Sequence, residues 1–203
     1  MFLYEKDIRS RAQGRETKEG RNANEILRRL KKSKALAKYD IFLSQTIRDA
    51  ELVLGVHELL SELGYSVFCD WIENPLDDRS AVTPSNAEYI RAIMGICDSL
   101  LFLDSEGADQ SLWMCWELGW FDGRKGPVAV VPILPEGQTS YRGREFLGLY
   151  PYVEIDDKGR LKIVRPVVTN ARGYAILEAP NYRSYDSWVN HSPDYVRPRV
   201  FSF

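Results

Sequence analysis

The sequence predicts an α/β protein built on a parallel sheet with helices on both faces, and three observations carry that expectation. First, apolar runs of strand length recur at Tyr39–Ser44, Tyr65–Asp70, Ser99–Asp104 and Pro127–Leu134, with Tyr150–Ile155 as a fifth. Second, the segments between the early runs carry apolar residues at helical spacing, so strands and helices alternate, which implies βαβ units and a sheet buried on both sides. Third, 44% of the 203 residues are hydrophobic, enough for a packed core and too much for wholesale disorder.

The elements follow in order. A helix is expected from about Ile47 to Leu63, with Leu52, Val53, Val56, Leu59, Leu60 and Leu63 on one face and Gly64 as its stop. Trp71 to Pro84 has two prolines, three acids and no periodicity, so it reads as a long loop, of the kind often tied to function. Ser85 opens the next helix, with Glu88 completing a capping box and Tyr89, Ile90, Ile93, Met94 and Cys97 facing inward. Ser111–Phe121 is a further helix, closed by Asp122-Gly123. Asp156–Arg160 reads as a turn between strand-like flanks. The last 38 residues, with Tyr174, Tyr182, Tyr185, Trp188 and Tyr195 among prolines and arginines, are expected to wrap the domain or form an oligomer contact.

Charge is unevenly spread. Residues 1 to 38 hold twelve of the 27 basic and five of the 29 acidic residues, a balance of +7, leaving 15 basic and 24 acidic residues, −9, in the rest. A basic arm could touch nucleic acid or a membrane surface. However, Asn24–Leu36 spaces its apolar residues as a helix does and has no interleaved aromatics, so a solvated helix with one thin apolar face fits better. That helix is placed outside the sheet, against the body or another subunit. No partner of nucleic acid or membrane is expected. No run approaches the ~18 consecutive apolar residues of a membrane span. Met1–Asp7 lacks the apolar stretch of a secretion signal. Cys69, Cys97 and Cys115, odd in number and each within an apolar run, fit buried thiols of a reducing compartment. A soluble, cytoplasmic protein is expected.

Several chemistries drop out. The sequence has neither a P-loop nor a dinucleotide glycine fingerprint, and no cysteine pair has zinc spacing. His57 lies mid-helix, where a lone histidine is usually a surface or edge residue, and His191 lies in the tail, so neither a catalytic triad nor a histidine metal site is expected. Carboxylate chemistry remains. Glu117 stands out, because the eleven residues from Ser111 to Phe121 include three tryptophans, one phenylalanine and two leucines. An acid so placed tends to be desolvated, which suits catalysis. The competing structural role is an ion pair with an arginine such as Arg124. In a parallel sheet, ligands bind at the carboxyl ends of the strands, here near Ser44, Asp70 to Trp71 and Ser105.

Tyr39-Asp40-Ile41-Phe42-Leu43-Ser44, then Val67-Phe68-Cys69-Asp70, then Ser111-x-Trp113-x-x-x-Glu117-Leu118 resembles the TIR (Toll/interleukin-1 receptor) domain family over roughly residues 38 to 155. The block from Asp70 to Gly123 looks especially like stand-alone prokaryotic TIR proteins. The resemblance implies a flavodoxin-like three-layer fold with a central five-stranded parallel sheet over 38–155, an N-terminal helical arm over 1–37 and a C-terminal extension over 156–203. It also implies NAD+ glycohydrolase chemistry, with Glu117 as the family's glutamate, Trp113 as the tryptophan one turn before it and Ser44 as the serine ending the first strand. Gln45, Asp70 and Trp71 join these as substrate-binding candidates. The family often has His or Tyr-Arg after that serine, where Gln45-Thr46 stands here, and Cys where Met114 stands.

The chemistry is physically plausible for such a residue set. Cleaving the nicotinamide–ribose bond expels a neutral leaving group from a pyridinium, so no general acid is needed, and the transition state resembles an oxocarbenium ion. A carboxylate near the ribose would stabilise that cation, and an indole would hold a ring of the dinucleotide. NAD+ is then a substrate, with no resident cofactor and no metal. Relatives of this kind often serve anti-phage defence, making an ADP-ribose-derived or cyclic signal for a separate effector, as in Thoeris-type systems, and often complete their sites by self-association. Two alternatives stay open on the sequence: a non-catalytic TIR scaffold for protein assembly, and a nucleoside deoxyribosyltransferase-like enzyme.

Overall fold

Five neighbouring strands of the sheet lie parallel, and their order identifies the architecture. A computed structural model describes residues 1–32, 37–46, 49–70, 83–105, 111–141, 143, 145–165 and 182–190. In chain order the elements are β1 (Leu3–Tyr4), α1 (Glu5–Glu19), α2 (Ala23–Lys32), β2 (Tyr39–Ser44), α3 (Ala50–Glu62), β3 (Val67–Cys69), α4 (Pro84–Gly95), β4 (Cys97–Ser105), α5 (Leu112–Arg124), β5 (Val128–Leu134), a 3-10 turn (Glu145–Leu149), β6 (Tyr152–Ile155), β7 (Leu161–Val164), β8 (Tyr182–Ser184) and α6 (Tyr185–Asn190). The sheet runs β3-β2-β4-β5-β6-β7-β8, with β3, β2, β4, β5 and β6 parallel to one another and β7 and β8 added antiparallel. Counted from β2, the parallel part has the order 2-1-3-4-5, the flavodoxin-like order, with its switch point between β2 and β4. The expected flavodoxin-like three-layer fold is therefore present, on a sheet enlarged to eight strands.

Two apolar layers sandwich the sheet. Ile41, Leu43, Leu101, Leu103, Ala129 and Val131 point to one face, where α1, α2, α3 and α6 supply Ile8, Ile26, Leu27, Val53, Leu60 and Trp188. Phe42, Leu100, Phe102 and Val130 point to the other, where α4 and α5 supply Ile90, Ile93, Met94, Met114, Leu118 and Phe121. This is the alternation that strand geometry dictates for a sheet buried on both sides.

The N-terminal region differs from expectation. It is not a single helix lying outside the sheet: Leu3–Tyr4 pairs with Ile133–Leu134 of β5, and two helices follow. Asn22 and Glu25 cap α2 reciprocally, at 3.0 and 3.2 Å. Helix α1 lies so close on α3 that a Cβ at Gly55 would come within 2.1 Å of the Ile8 carbonyl oxygen. The arginines of α1 meet the acids of α3: Arg9 bonds Asp49 and Glu51, Arg11 bonds Glu62, and Arg15 bonds Glu58 at 2.9 Å. Much of the arm's positive charge is thus spent inside the protein. Its apolar stripe is narrow because only Ile8 and Ala12 of α1 are buried.

Smaller corrections concern helix ends and faces. Helix α3 is described from Ala50, capped by Asp49 through the Leu52 amide, and residues 47 and 48 lie outside the described residues. Gly64, at φ 92°, ends α3 as expected, since a left-handed residue frees the Gly64 and Tyr65 amides to bond Ser61 and Leu60 carbonyls. Helix α4 begins one residue early: Pro84 takes the first position and the Thr83 hydroxyl, not Ser85, accepts the Asn86 amide at 3.3 Å. Ile90, Ile93, Met94 and Cys97 are buried, but Tyr89 is exposed, because it lies a hundred degrees around the helix from Ile90. His57 is buried rather than at the surface, with its ring 3.4 Å from the Ser61 hydroxyl and 3.7 Å from Glu58. Cys69 and Cys97 are buried thiols, while Cys115 is only half-buried. Burial pushes the Cys97 thiol up to about 12.

Of the C-terminal residues, 166–181 and 191–203 lie outside the described residues, including Tyr174 and Tyr195. Those described wrap the domain. The Asp156–Arg160 turn joins β6 and β7, with the Asp156 carboxylate accepting the Lys158 and Arg160 amides at 2.9 Å. These backbone bonds and the Arg160 guanidinium hold that carboxyl down at about 2. Tyr185 and Trp188 of α6 are buried, and the Tyr185 hydroxyl reaches the Asp40 carbonyl and Ser99 at 2.8 Å.

Candidate active site at the carboxyl edge of the sheet

Strand β2 ends in Ser44 because its last inward residue is small and polar. Alternation places Ser44 on the Phe42 face, toward α5. Helix α5 follows β4 and runs back along the sheet, so its first turns stand over the carboxyl ends of the strands. Glu117 lies in its second turn, between inward-facing Met114 and Leu118, and is 2% exposed. The Ser44 hydroxyl donates to Glu117 Oε2 at 2.6 Å. That length is typical of a hydroxyl on a carboxylate and binds two residues 73 positions apart. Burial of a carboxylate is costly without such partners. Glu117 is therefore buried rather than at the surface, and Arg124 lies over the Trp120 ring at 5.8 Å.

Trp113 precedes Glu117 by four residues and so shares its side of α5. It is partly buried, its ring centroid lies 4.8 Å from that of Trp116, and its indole N–H has no hydrogen-bond partner among the described residues. Trp116 in turn lies under the Arg91 guanidinium at 5.2 Å, which fixes the aromatic pair from the α4 side.

Gln45 and Asp70 meet at the same edge. Gln45 is 3% exposed and donates through Nε2 to the Asp70 carbonyl at 3.0 Å, bridging the ends of β2 and β3. Its Oε1 has no partner among the described residues. Asp70 is buried beside it. Trp71, the remaining candidate, lies outside the described residues, as do residues 72–82 of the long loop. The structure thus brings Ser44 and Glu117 into contact, sets Trp113 one turn away and joins Gln45 to Asp70.

Two residues at this edge escaped the sequence reading. Asp104, at the end of β4, is 6% exposed, and its Oδ2 accepts the Tyr141 hydroxyl at 2.9 Å. The signal was a carboxylate ending the apolar run Ser99–Asp104, in a strand next to Ser44 and directly before Ser105. Tyr141 carried no signal, because it lies in the irregular connection from β5 to β6. Among the described residues, no group of three or more His, Cys, Asp or Glu side chains is gathered to hold a metal ion. No described helix is long and apolar enough to cross a membrane.

No protein-family model matches the chain. Over 116 residues the chain is 52% identical to a protein of Bacillus cereus (strain MSX-D12) described as "Probable 3' cyclic ADP-D-ribose synthase ThsB'". The match takes in 57% of this chain and spans 60% of the length of that relative. It agrees with the resemblance to TIR proteins of Thoeris-type systems that the strand and helix motifs carry.

Proposed function

We propose that this TIR-type chain consumes NAD+, releasing nicotinamide and converting the ADP-ribosyl part into a nucleotide signal, in a prokaryotic anti-phage response. The observation that carries the reading is the buried Ser44–Glu117 bond, 2.6 Å long, at the carboxyl edge of a doubly wound sheet, with an indole N–H one turn away that has no partner among the described residues. Breaking the ribose–nicotinamide bond builds positive charge on the sugar as a neutral ring departs. Glu117, held by Ser44 and removed from water, is placed to stabilise that charge without reorganising. Trp113 offers a face for stacking and an N–H for a polar group of the dinucleotide. Gln45, whose buried oxygen has no partner among the described residues, would accept from an amide or amino group of the substrate, with Asp70 beside it. Trp71, outside the described residues, joins them as a further substrate-binding candidate.

The relative's name supports a cyclic ADP-ribose as the product class. Hydrolysis to linear ADP-ribose is the simpler outcome of the same cation when water is the acceptor. NAD+ is the substrate, and the step draws on no resident cofactor. The signal would act on a separate effector protein, the enzyme would work in the cytoplasm, and its site would be completed by association of like chains.

Incubating the purified chain with NAD+ and, separately, with deoxynucleosides, followed by chromatography, tests the reading. Nicotinamide should appear with NAD+ alone. Base exchange among deoxynucleosides would indicate the transferase reading instead, and inertness toward both at high protein concentration would indicate a scaffold.

A further inference from the structure

Asp104 is a second buried carboxylate at the same end of the sheet, and the charge-stabilising step above leaves it without a task. It follows Phe102 by two residues and so points to the same face of β4, toward α4 and α5. Ser44 of the neighbouring strand stands in register with Phe102 and bonds Glu117 on that same face. Two residues of rise and one interstrand spacing put the Cα atoms of Ser44 and Asp104 about 8 Å apart. Strands β2 and β4 flank the switch point, where ligands of such sheets bind. Glu117, through Ser44, and Asp104 therefore stand on opposite lips of one crevice. Tyr141 holds Asp104 from the side away from Ser44: its ring meets Tyr152 of β6 edge-on at 5.7 Å, and its hydroxyl bonds Oδ2 at 2.9 Å.

We propose that Asp104 is the base for the acceptor half of the reaction, an assignment that rests on the NAD+ reading above. As the C1′–N bond breaks, its electron pair leaves on nicotinamide and the sugar carbon becomes cationic. An acceptor hydroxyl then forms the new C1′–O bond and gives its proton to the Asp104 carboxylate, which passes it to solvent. Glu117 steadies the cation, and Asp104 takes the proton. Two carboxylates in different settings divide the two roles, as acid–base sites commonly do. The consequence is selectivity. A water molecule can hand its proton to another water, whereas a ribose hydroxyl of the same dinucleotide, held in the crevice, needs a base within reach. Asp104 and Tyr141 thus favour cyclised over linear product.

The test measures nicotinamide release and the ratio of cyclised to linear product together, for the wild-type chain, Asp104→Asn and Tyr141→Phe. For Asp104→Asn, the ratio should fall at least about tenfold, the low end of what a positioned base contributes, while nicotinamide release falls less than the ratio. Tyr141→Phe should move the ratio in the same direction by a smaller factor, and it carries the test alone if Asp104→Asn fails to melt like wild type. A ratio unchanged within twofold, or a wild type that makes only linear product, overturns the assignment while leaving the NAD+ reading in place. Parallel loss of release and of both products in both variants also overturns it, by marking the pair as structural. A wild-type chain that releases no nicotinamide overturns the NAD+ reading itself.

Discussion

Replacing Glu117 with glutamine isolates charge from shape. The amide fills the same volume between Met114 and Leu118 and keeps an oxygen to accept the Ser44 hydroxyl, now 2.6 Å from the carboxylate. What disappears is a negative charge facing the sugar. At an effective dielectric of about 20 and a separation of about 4 Å, that charge is worth about 4 kcal/mol to a full cation. The substrate pyridinium already carries positive charge nearby, so only part of this attraction appears in the transition state. A loss of about 2.7 kcal/mol, at the low end for one preorganised electrostatic group, lowers turnover about a hundredfold. Exchanging a charged acceptor for a neutral one costs about 1 kcal/mol of stability, or about 2–4 °C of melting temperature in a chain of this size. Initial rates of nicotinamide formation, with melting curves of both proteins, make the comparison. Near wild-type turnover in a folded Glu117→Gln protein would refute the assignment.

Four further outcomes follow from the same geometry. Ser44→Ala removes a donor from a buried carboxylate, so it should cost about 1–3 kcal/mol in denaturant titration and lower turnover as well. Gly55→Ala drives a methyl group into the Ile8 backbone, so α1 must shift; overpacking of about 1–3 kcal/mol should appear as a lower urea midpoint, and an unchanged midpoint would contradict the tight α1–α3 seat. Glu58 is held below its ordinary value of 4.5 by the His57 ring and the Arg15 guanidinium against the opposing effect of burial, so its stabilisation is present above about pH 4.5 and lost as pH falls through the lower folded value; Glu58→Gln should flatten the fall in urea midpoint over that acid range. If the site is completed between chains, specific activity should rise more steeply than linearly with enzyme at low concentration, in step with light-scattering mass, whereas strictly linear rates would argue for a self-sufficient monomer.

The parallel sheet was legible because its strands are apolar runs with few competitors. Tyr39–Ser44 and Val128–Leu134 are buried on both faces, so their composition alone marks them. Helix α1 was not legible: it buries only Ile8 and Ala12, and its remaining surface is charged, so no periodic stripe reports it. Strand β1 is two residues long and pairs with β5 some 130 residues away, a contact no local pattern encodes. The same division holds in the site. Glu117 was visible as an acid among indoles, and Trp113 by its spacing from it. The Ser44–Glu117 contact depends on which face β2 presents at its last residue, which the strand's alternation allows but does not compel. Asp104 ends an apolar run without any motif, and only the pairing of Ser44 with Phe102 reveals that it shares a crevice with Glu117. His57 misled because a mid-helix histidine is usually solvated, whereas here α1 and α2 cover α3.

The site of Ser44, Glu117 and Trp113 is proposed to break the nicotinamide–ribose bond of NAD+. Proton NMR of NAD+ with the full chain, at protein concentrations high enough for self-association, follows the nicotinamide ring and the anomeric protons in one experiment. Free nicotinamide should appear mole for mole with NAD+ loss, alongside a new anomeric signal, and both should be nearly absent with Glu117→Gln. Unchanged NAD+ spectra in the presence of folded, associated wild-type protein would contradict the proposal.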